Sequence, residues 1–222
     1  MFLPWKDDLP TRRVSWVTIG LIVANVAVFA AELSAPDLAG VFREHGLIPA
    51  AFTRGSALAA SPTLFSSMFL HGSVLHLASN ALYLWIFGNN VEDLLGPVRF
   101  LIFYVLAGLG GHAAQILADA GSTVPTVGAS GAIAGILGAY LIRFPSARIH
   151  TFLYLIFVFG NFRIPAAVVI AAWLLMQILG GLGSLSGGAG GIAWFEHLGG
   201  FAAGVLLFPL LAGRRGRRVS RW

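Results

Sequence analysis

The stretch LFSSMFLHGSVLHLASNALYLWIFG, residues 64–88, has no charged residue and exceeds the ~20 residues that a helix needs to cross a bilayer. It nonetheless carries His71, His76 and Asn80 in its first two thirds. Read as a membrane span with polar residues toward one end, it decides how the rest of the chain is read. Upstream, Trp16–Ala31 is the first uncharged run. Downstream, Phe100–Ala118, Thr126–Ile142, Ile164–Leu179 and Ile192–Leu211 repeat the pattern. Of the 222 residues 57% are hydrophobic and 10% charged, with a mean hydropathy of +0.83. A soluble domain is about half apolar and a quarter charged. The composition therefore excludes a soluble domain and a disordered chain. It predicts an all-α, polytopic membrane protein with six transmembrane helices. An N-terminal segment 1–15 would precede the membrane domain 16–211, and a basic tail 212–222 would follow it. The first run begins after charged residues and lacks a small-residue cleavage site, so it reads as a retained span and not a signal peptide. With no cysteine, disulfides, thiolate catalysis and zinc–thiolate sites are excluded.

A net charge of +5 would suit nucleic acid, but the basic residues flank the spans instead. Lys6, Arg12 and Arg13 precede the first run, and Arg214, Arg215, Arg217, Arg218 and Arg221 follow the last. Such residues are retained on the cytoplasmic side. With six spans and the N-terminus inside, only Arg43 and Arg54 of the 14 basic residues lie outside. A seventh span at Thr151–Gly160 (TFLYLIFVFG) would export the C-terminal arginines. That segment rises only ~15 Å as a helix, half the hydrocarbon core, so it is expected to lie in or dip into the interface. The loop from Leu33 to about Pro62 is expected outside, with short interfacial helices. Both termini are placed in the cytoplasm, and a bacterial inner membrane is the expected location. The bilayer is a partner and nucleic acid is not.

Polar residues inside spans are costly unless partnered, which makes them candidates for function. Three of the expected spans run inward, and each places polar residues in its outer part: His71, His76 and Asn80; Ser130 within Gly128-Ala129-Ser130-Gly131; and His197. A serine near a histidine is the minimal pair for nucleophilic acyl transfer. Glycines beside Ser130 allow close backbone approach and free its amide to donate to an oxyanion. His76 and Asn80, four residues apart, share a helical face and can donate to the same oxygen. His71, five residues before His76, is expected to point elsewhere and to act as a supporting residue. His112 is assigned to helix packing, and His45 and His150 are given no role. Glu196 projects about 100° away from its neighbour His197 around a helix, which makes it a poor third member of a triad. Gly200 and Gly204 form a small-xxx-small face, which would let the last span press on the fourth and carry His197 to Ser130.

In this order, His71-Gly-Ser-Val-Leu-His76-Leu-Ala-Ser-Asn80, Gly128-Ala-Ser130-Gly131 and His197-Leu-Gly-Gly200-Phe-Ala-Ala-Gly204 resemble the rhomboid intramembrane serine proteases, over about Trp16–Leu211. The resemblance implies a compact six-helix bundle with a water-accessible cavity open to the outside. It implies a Ser–His dyad, with Ser130 as nucleophile and His197 as base, and oxyanion stabilisation by His76, Asn80 and the Ser130 amide. It implies substrates that are transmembrane proteins, cut in or near their transmembrane segments, and no cofactor or metal. The family's structural glutamate matches Glu92. The chain departs from the family pattern in three places. Pro62-Thr63 stands where many members have Trp-Arg. Ala134 stands where an aromatic often stacks on the histidine, so an aromatic from another helix is expected to orient His197. Glu196 stands where a small residue is usual.

The alternative is a catalytically inactive rhomboid-like protein that binds membrane clients, although such forms typically lose the serine or the histidine. A transporter would need paired charges within spans or internal repeats, and neither is visible. There is no H-E-x-x-H of a zinc protease and no Gly-x-Gly-Asp of an aspartyl one. No two span histidines stand three or four apart, as helical metal ligands would.

Overall fold

The computed structural model describes residues 2–155, 158–185 and 193–213, with the side chains of 2, 153–155, 158–159 and 185 excepted, so Gly187, Gly188 and the C-terminal arginines lie outside the described residues. The chain is mostly helical. Helices α1 (Trp16–Leu33), α8 (Pro97–Ala118), α10 (Ala166–Leu185) and α11 (Trp194–Ala212) are long and apolar enough to cross a membrane. The loop after α1 holds the short helices α2 (Leu38–His45), α3 (Pro49–Thr53), α4 (Ala57–Ala60) and α5 (Thr63–Ser66).

The remaining two expected spans take different bounds. Ser73 caps α6 (Val74–Tyr83) by accepting from the His76 amide at 3.1 Å, so the helix starts ten residues later than the apolar run. It continues through a π turn at Leu84–Gly88 into α7 (Asn89–Leu95). α9 (Ser130–Arg143) begins only at the serine, because Gly128 takes φ +130° and breaks the run Thr126–Ile142.

The expectation of an all-α chain does not hold. β1 (Phe2–Asp7), β2 (Arg148–Leu155) and β3 (Val158–Pro165) form an antiparallel sheet in that order. The segment expected at the interface is thus a hairpin completed by the chain's first residues. Alternation carries it: Ile149 and Thr151 are fully buried while Arg148 is exposed. Asp7 anchors β1 to the helices. Its carboxylate accepts from Tyr140 Oη of α9 at 2.7 Å and from Asn90 Nδ2 of α7 at 2.6 Å. Burial raises the Asp7 carboxyl from 3.8 to about 6. Its exposed neighbour Asp8 is held low by a 2.6 Å hydrogen bond from His150, the first role found for that histidine.

Glu92 of α7 fastens the start of α1, whose first amides would otherwise lack partners. It accepts from the Val17 and Thr18 amides at 3.0 and 2.8 Å and from Thr18 Oγ1 at 2.7 Å. The core lies where α8, α9 and α11 meet, filled by Phe100, Phe103, Tyr104, Ile136, Leu137 and Tyr140. Along α9 and α11 two glycine pairs face each other. A Cβ on Gly200 would fall on the Gly131 carbonyl, and one on Gly204 on the Gly135 carbonyl. The pairs advance in the same direction, so the two helices run parallel with their backbones touching.

This seam should tolerate no side chain. Gly200→Ala and Gly204→Ala should each lower stability by ~1–3 kcal/mol, as overpacking does, measured by thermal unfolding in detergent. Gly20→Ala on α1, where a Cβ meets nothing within 4 Å, is the control and should melt unchanged or slightly higher. Equal losses at all three positions would remove the seam.

Asp7 should impose a pH dependence. Its folded value lies above its unfolded one, so its contribution to stability is complete below about pH 4 and is lost as pH rises through about 6. Melting temperatures of Asp7→Asn should therefore fall less steeply than wild type across that window. Parallel curves would show that Asp7 does not titrate there.

Candidate active site

Ser130 is the first residue of α9, so its amide has no partner within the helix and sits at the positive end of the helix dipole. His197 lies in the first turn of α11, its amide donating to Ala193 O at 3.3 Å. Ser130 precedes Gly131 by one residue, and His197 precedes Gly200 by three. Docking of the two helices through their glycines therefore sets the serine beside the histidine. The Ser130 hydroxyl donates to His197 Nε2 at 2.8 Å. On the other side of the ring, Nδ1 is 2.7 Å from Gln177 Oε1 of α10. Trp173, one turn earlier on α10, lies 6.0 Å from the His197 ring at 40°. An aromatic from another helix was the expectation at Ala134, and Trp173 fills it. Gln177 was not anticipated. Its only sequence signal was an amide in an otherwise apolar run.

His76 and Asn80 approach from α6. The place of a Cβ on Gly128 is 2.8 Å from His76 Cε1 and Nε2 and 3.6 Å from Asn80 Nδ2, so only glycine lets both come this close. Asn80 Nδ2 also donates to His71 Nε2 at 3.0 Å. His71 thus does not point elsewhere. It lies in the turn before α6, outside the helix whose geometry implied that direction. Its Nδ1–H donates to Phe69 O at 3.0 Å, its amide donates to the Glu32 carboxylate at 3.1 Å, and its ring stacks edge-on to His76 at 5.1 Å. Glu32, 4% exposed at the end of α1, is the residue that sequence reasoning missed here.

Glu196 does face away from His197, but it has a partner. Its Oε1 lies 3.4 Å from His112 Nδ1, and His112 Nε2 lies 3.2 Å from Ser67 Oγ. His112 and Glu196 are 1% and 2% exposed, so the histidine given to simple packing is half of a buried polar pair. That pair lies behind Gly131, where a Cβ would meet Glu196 Oε1 at 2.8 Å. Gly128, Gly131, Gly200 and Gly204 therefore all sit where another residue would move the site.

Ser130, His197, His76, Asn80 and Trp173 line one cavity of about 1120 Å³. An amide oxygen can only accept, so Nδ1 carries the ring proton and the Nε2 lone pair faces the hydroxyl. Such a pair can pass the hydroxyl proton to the ring as the oxygen attacks. Among the described residues no group of three or more His, Cys, Asp or Glu side chains is placed to hold a metal ion.

A family model described as the rhomboid domain matches residues 60–214. The chain is 35% identical over 152 residues to RHOMBOID-like protein 4 of Arabidopsis thaliana, covering 67% of this chain and 34% of that protein. It is 45% identical over 78 residues to Rhomboid protease GluP of Bacillus subtilis, covering 35% and 15%. It is 32% identical over 146 residues to the human Presenilin-associated rhomboid-like protein, mitochondrial, covering 64% and 37%. The chain spans no more than about two fifths of these relatives' own lengths. Plant, bacterial and mitochondrial proteins are all among them, so they do not single out the bacterial inner membrane that the sequence suggested.

The Asn80 amide is placed by His71, so losing either should act alike. Asn80→Ala and His76→Ala should each slow fluorophosphonate labelling of Ser130, by up to the ~10²–10³ typical of one preorganised donor. His71→Ala should come close to Asn80→Ala, and the double variant should be no slower than Asn80→Ala alone. Additive losses would mean that His71 acts independently of Asn80.

Proposed function

The chain belongs to the rhomboid family, and we propose that it is an intramembrane serine endopeptidase that hydrolyses peptide bonds in or near transmembrane segments of membrane proteins. The observation that carries this reading is the 2.8 Å hydrogen bond from Ser130 Oγ to His197 Nε2, made in a cavity shared with His76 and Asn80. Ser130 Oγ attacks the scissile carbonyl carbon while His197 Nε2 takes its proton. The oxyanion accepts from the Ser130 amide and from His76 and Asn80. As the C–N bond breaks, His197 gives the proton to the leaving amine, and the acyl group stays on Ser130. A water then attacks the ester with His197 as base, which releases the acid and restores the hydroxyl.

Six helices cross the membrane in this reading: α1, the continuous α6–α7 helix, α8, α9, α10 and α11. Both termini then lie on one side, and the flanking arginines favour the cytoplasm for that side. α9 supports the arrangement by being too short for lipid. Its length from Ser130 to Arg143 gives ~21 Å against a ~30 Å hydrocarbon core, yet Gly131–Tyr140 are all buried within the protein. Irregular backbone at membrane depth is tolerated where it lines a cavity, and Thr126 and Val127 line it shortly before Ser130. This supports a serine set below the membrane surface, within reach of a substrate's transmembrane segment.

Cleavage of a reconstituted single-span substrate tests the proposal. Ser130→Ala and His197→Ala should each abolish turnover, and the double variant should be no worse, because the pair acts as a unit. Turnover at the unmodified rate in either single variant would sink the dyad.

A further inference from the structure

We infer that Gln177 is a positioning residue for the reaction: its side-chain oxygen, accepting from His197 Nδ1–H, holds the imidazole in the one tautomer and orientation that can serve Ser130. The inference rests on the proteolytic reading above and adds to it a third, uncharged member on a different helix.

The contact is short and shielded. Gln177 Oε1 lies 2.7 Å from His197 Nδ1, and the glutamine is 6% exposed. A neutral imidazole has one N–H and one lone pair, so the partner at one nitrogen fixes the state of the other. With an acceptor at Nδ1, the lone pair is at Nε2, where the Ser130 hydroxyl donates at 2.8 Å. The opposite tautomer would turn an N–H toward Ser130, and the histidine could no longer take the proton. The same bond persists when His197 becomes imidazolium during attack, because the oxygen goes on accepting from Nδ1–H. Trp173 restrains the ring further from the same helix, since its indole lies 6.0 Å from His197 and 6.3 Å from Phe201. Residues 173 and 177 are one helical turn apart on α10, so a single helix face provides both the packing wall and the acceptor.

Gln177 differs from the aspartate of a serine triad in carrying no charge. It orients the ring without adding Coulombic stabilisation to the imidazolium. Among the described residues, the titratable side chains that bear on His197 are Glu196 on its own helix and His76 on α6, and Asp119 lines the same cavity. Glu196 faces His112 and not the His197 ring. A carboxylate at position 177 would therefore be the first negative group bonded to that ring. It would also favour the protonated imidazole, which moves the pH at which His197 becomes a base upward.

The test is the rate at which a fluorophosphonate probe labels Ser130 in the full chain, followed from about pH 5 to 9 with each variant's melting temperature measured alongside. Gln177→Leu, of similar bulk and no acceptor, should label about 10- to 100-fold more slowly at every pH, the scale of a misplaced catalytic group. Gln177→Glu, which as a carboxylate can only accept, should keep labelling but with its acid limb raised by about one pH unit or more. A purely structural glutamine would lower the melting temperature and leave that limb in place. A Gln177→Leu rate within twofold of wild type, or an unmoved limb in Gln177→Glu, would overturn the inference. If Gln177→Glu does not fold, the Gln177→Leu rate decides alone. Wild type that does not label at Ser130 at all would overturn the proteolytic reading, and Gln177 with it, whereas labelled wild type with indifferent variants would overturn Gln177 only.

Discussion

The contact on which the rest of the molecule depends is the one between the backbones of α9 and α11. Gly131 and Gly135 meet Gly200 and Gly204 so closely that a single methyl group on α11 would strike a carbonyl of α9. In a bilayer the hydrophobic effect does not draw helices together, so close packing of small residues must do it. Parallel docking in this register leaves Ser130 and His197 with no freedom to lie apart. The hydrogen bond between them is a consequence of the seam, not an independent feature.

Around that seam several buried polar groups are joined in pairs and chains, which lowers the cost of holding them away from water. Glu32 holds the His71 amide, His71 holds the Asn80 amide group, and Asn80 lies against Gly128 beside the serine turn. Glu196, His112 and Ser67 make a second chain behind Gly131. On the far side Asp7, Tyr140 and Asn90 tie the amino-terminal strand to α9 and α7, and Glu92 closes the start of α1. Rigid packing alone would place the reacting atoms. At His71 the carbonyl of Phe69 also fixes the ring proton on Nδ1, which leaves Nε2 to accept from Asn80.

Much of the helical plan could be read from the sequence because uncharged runs and the arginines between them are signals of composition, which survive without knowledge of contacts. The apposition of Ser130, His197, His76 and Asn80 could be read because three separate segments put polar groups at one end. Other features escaped for physical reasons. TFLYLIFVFG has no charged residue to mark an alternation, and only part of its pairing is local: β2 and β3 pair with each other, while the third strand comes from residues 2–7. His71 was assigned a direction by helical geometry, but the helix begins at Val74, where Ser73 caps it. Gln177 and Glu32 are single polar residues in or at the end of apolar helices. Which partner each would take is a matter of tertiary structure, although the cost of leaving them unpaired marks them as worth asking about.

Docking of α9 on α11 is proposed to turn Ser130 into a nucleophile by way of His197. The most direct measurement is to treat the detergent-solubilised protein with a serine-directed fluorophosphonate and locate the adduct by peptide mass spectrometry, in wild type and in His197→Ala. One adduct on Ser130 is expected in the wild type and none in the variant. An adduct on another serine, or equal modification of Ser130 with and without the histidine, would contradict that proposal.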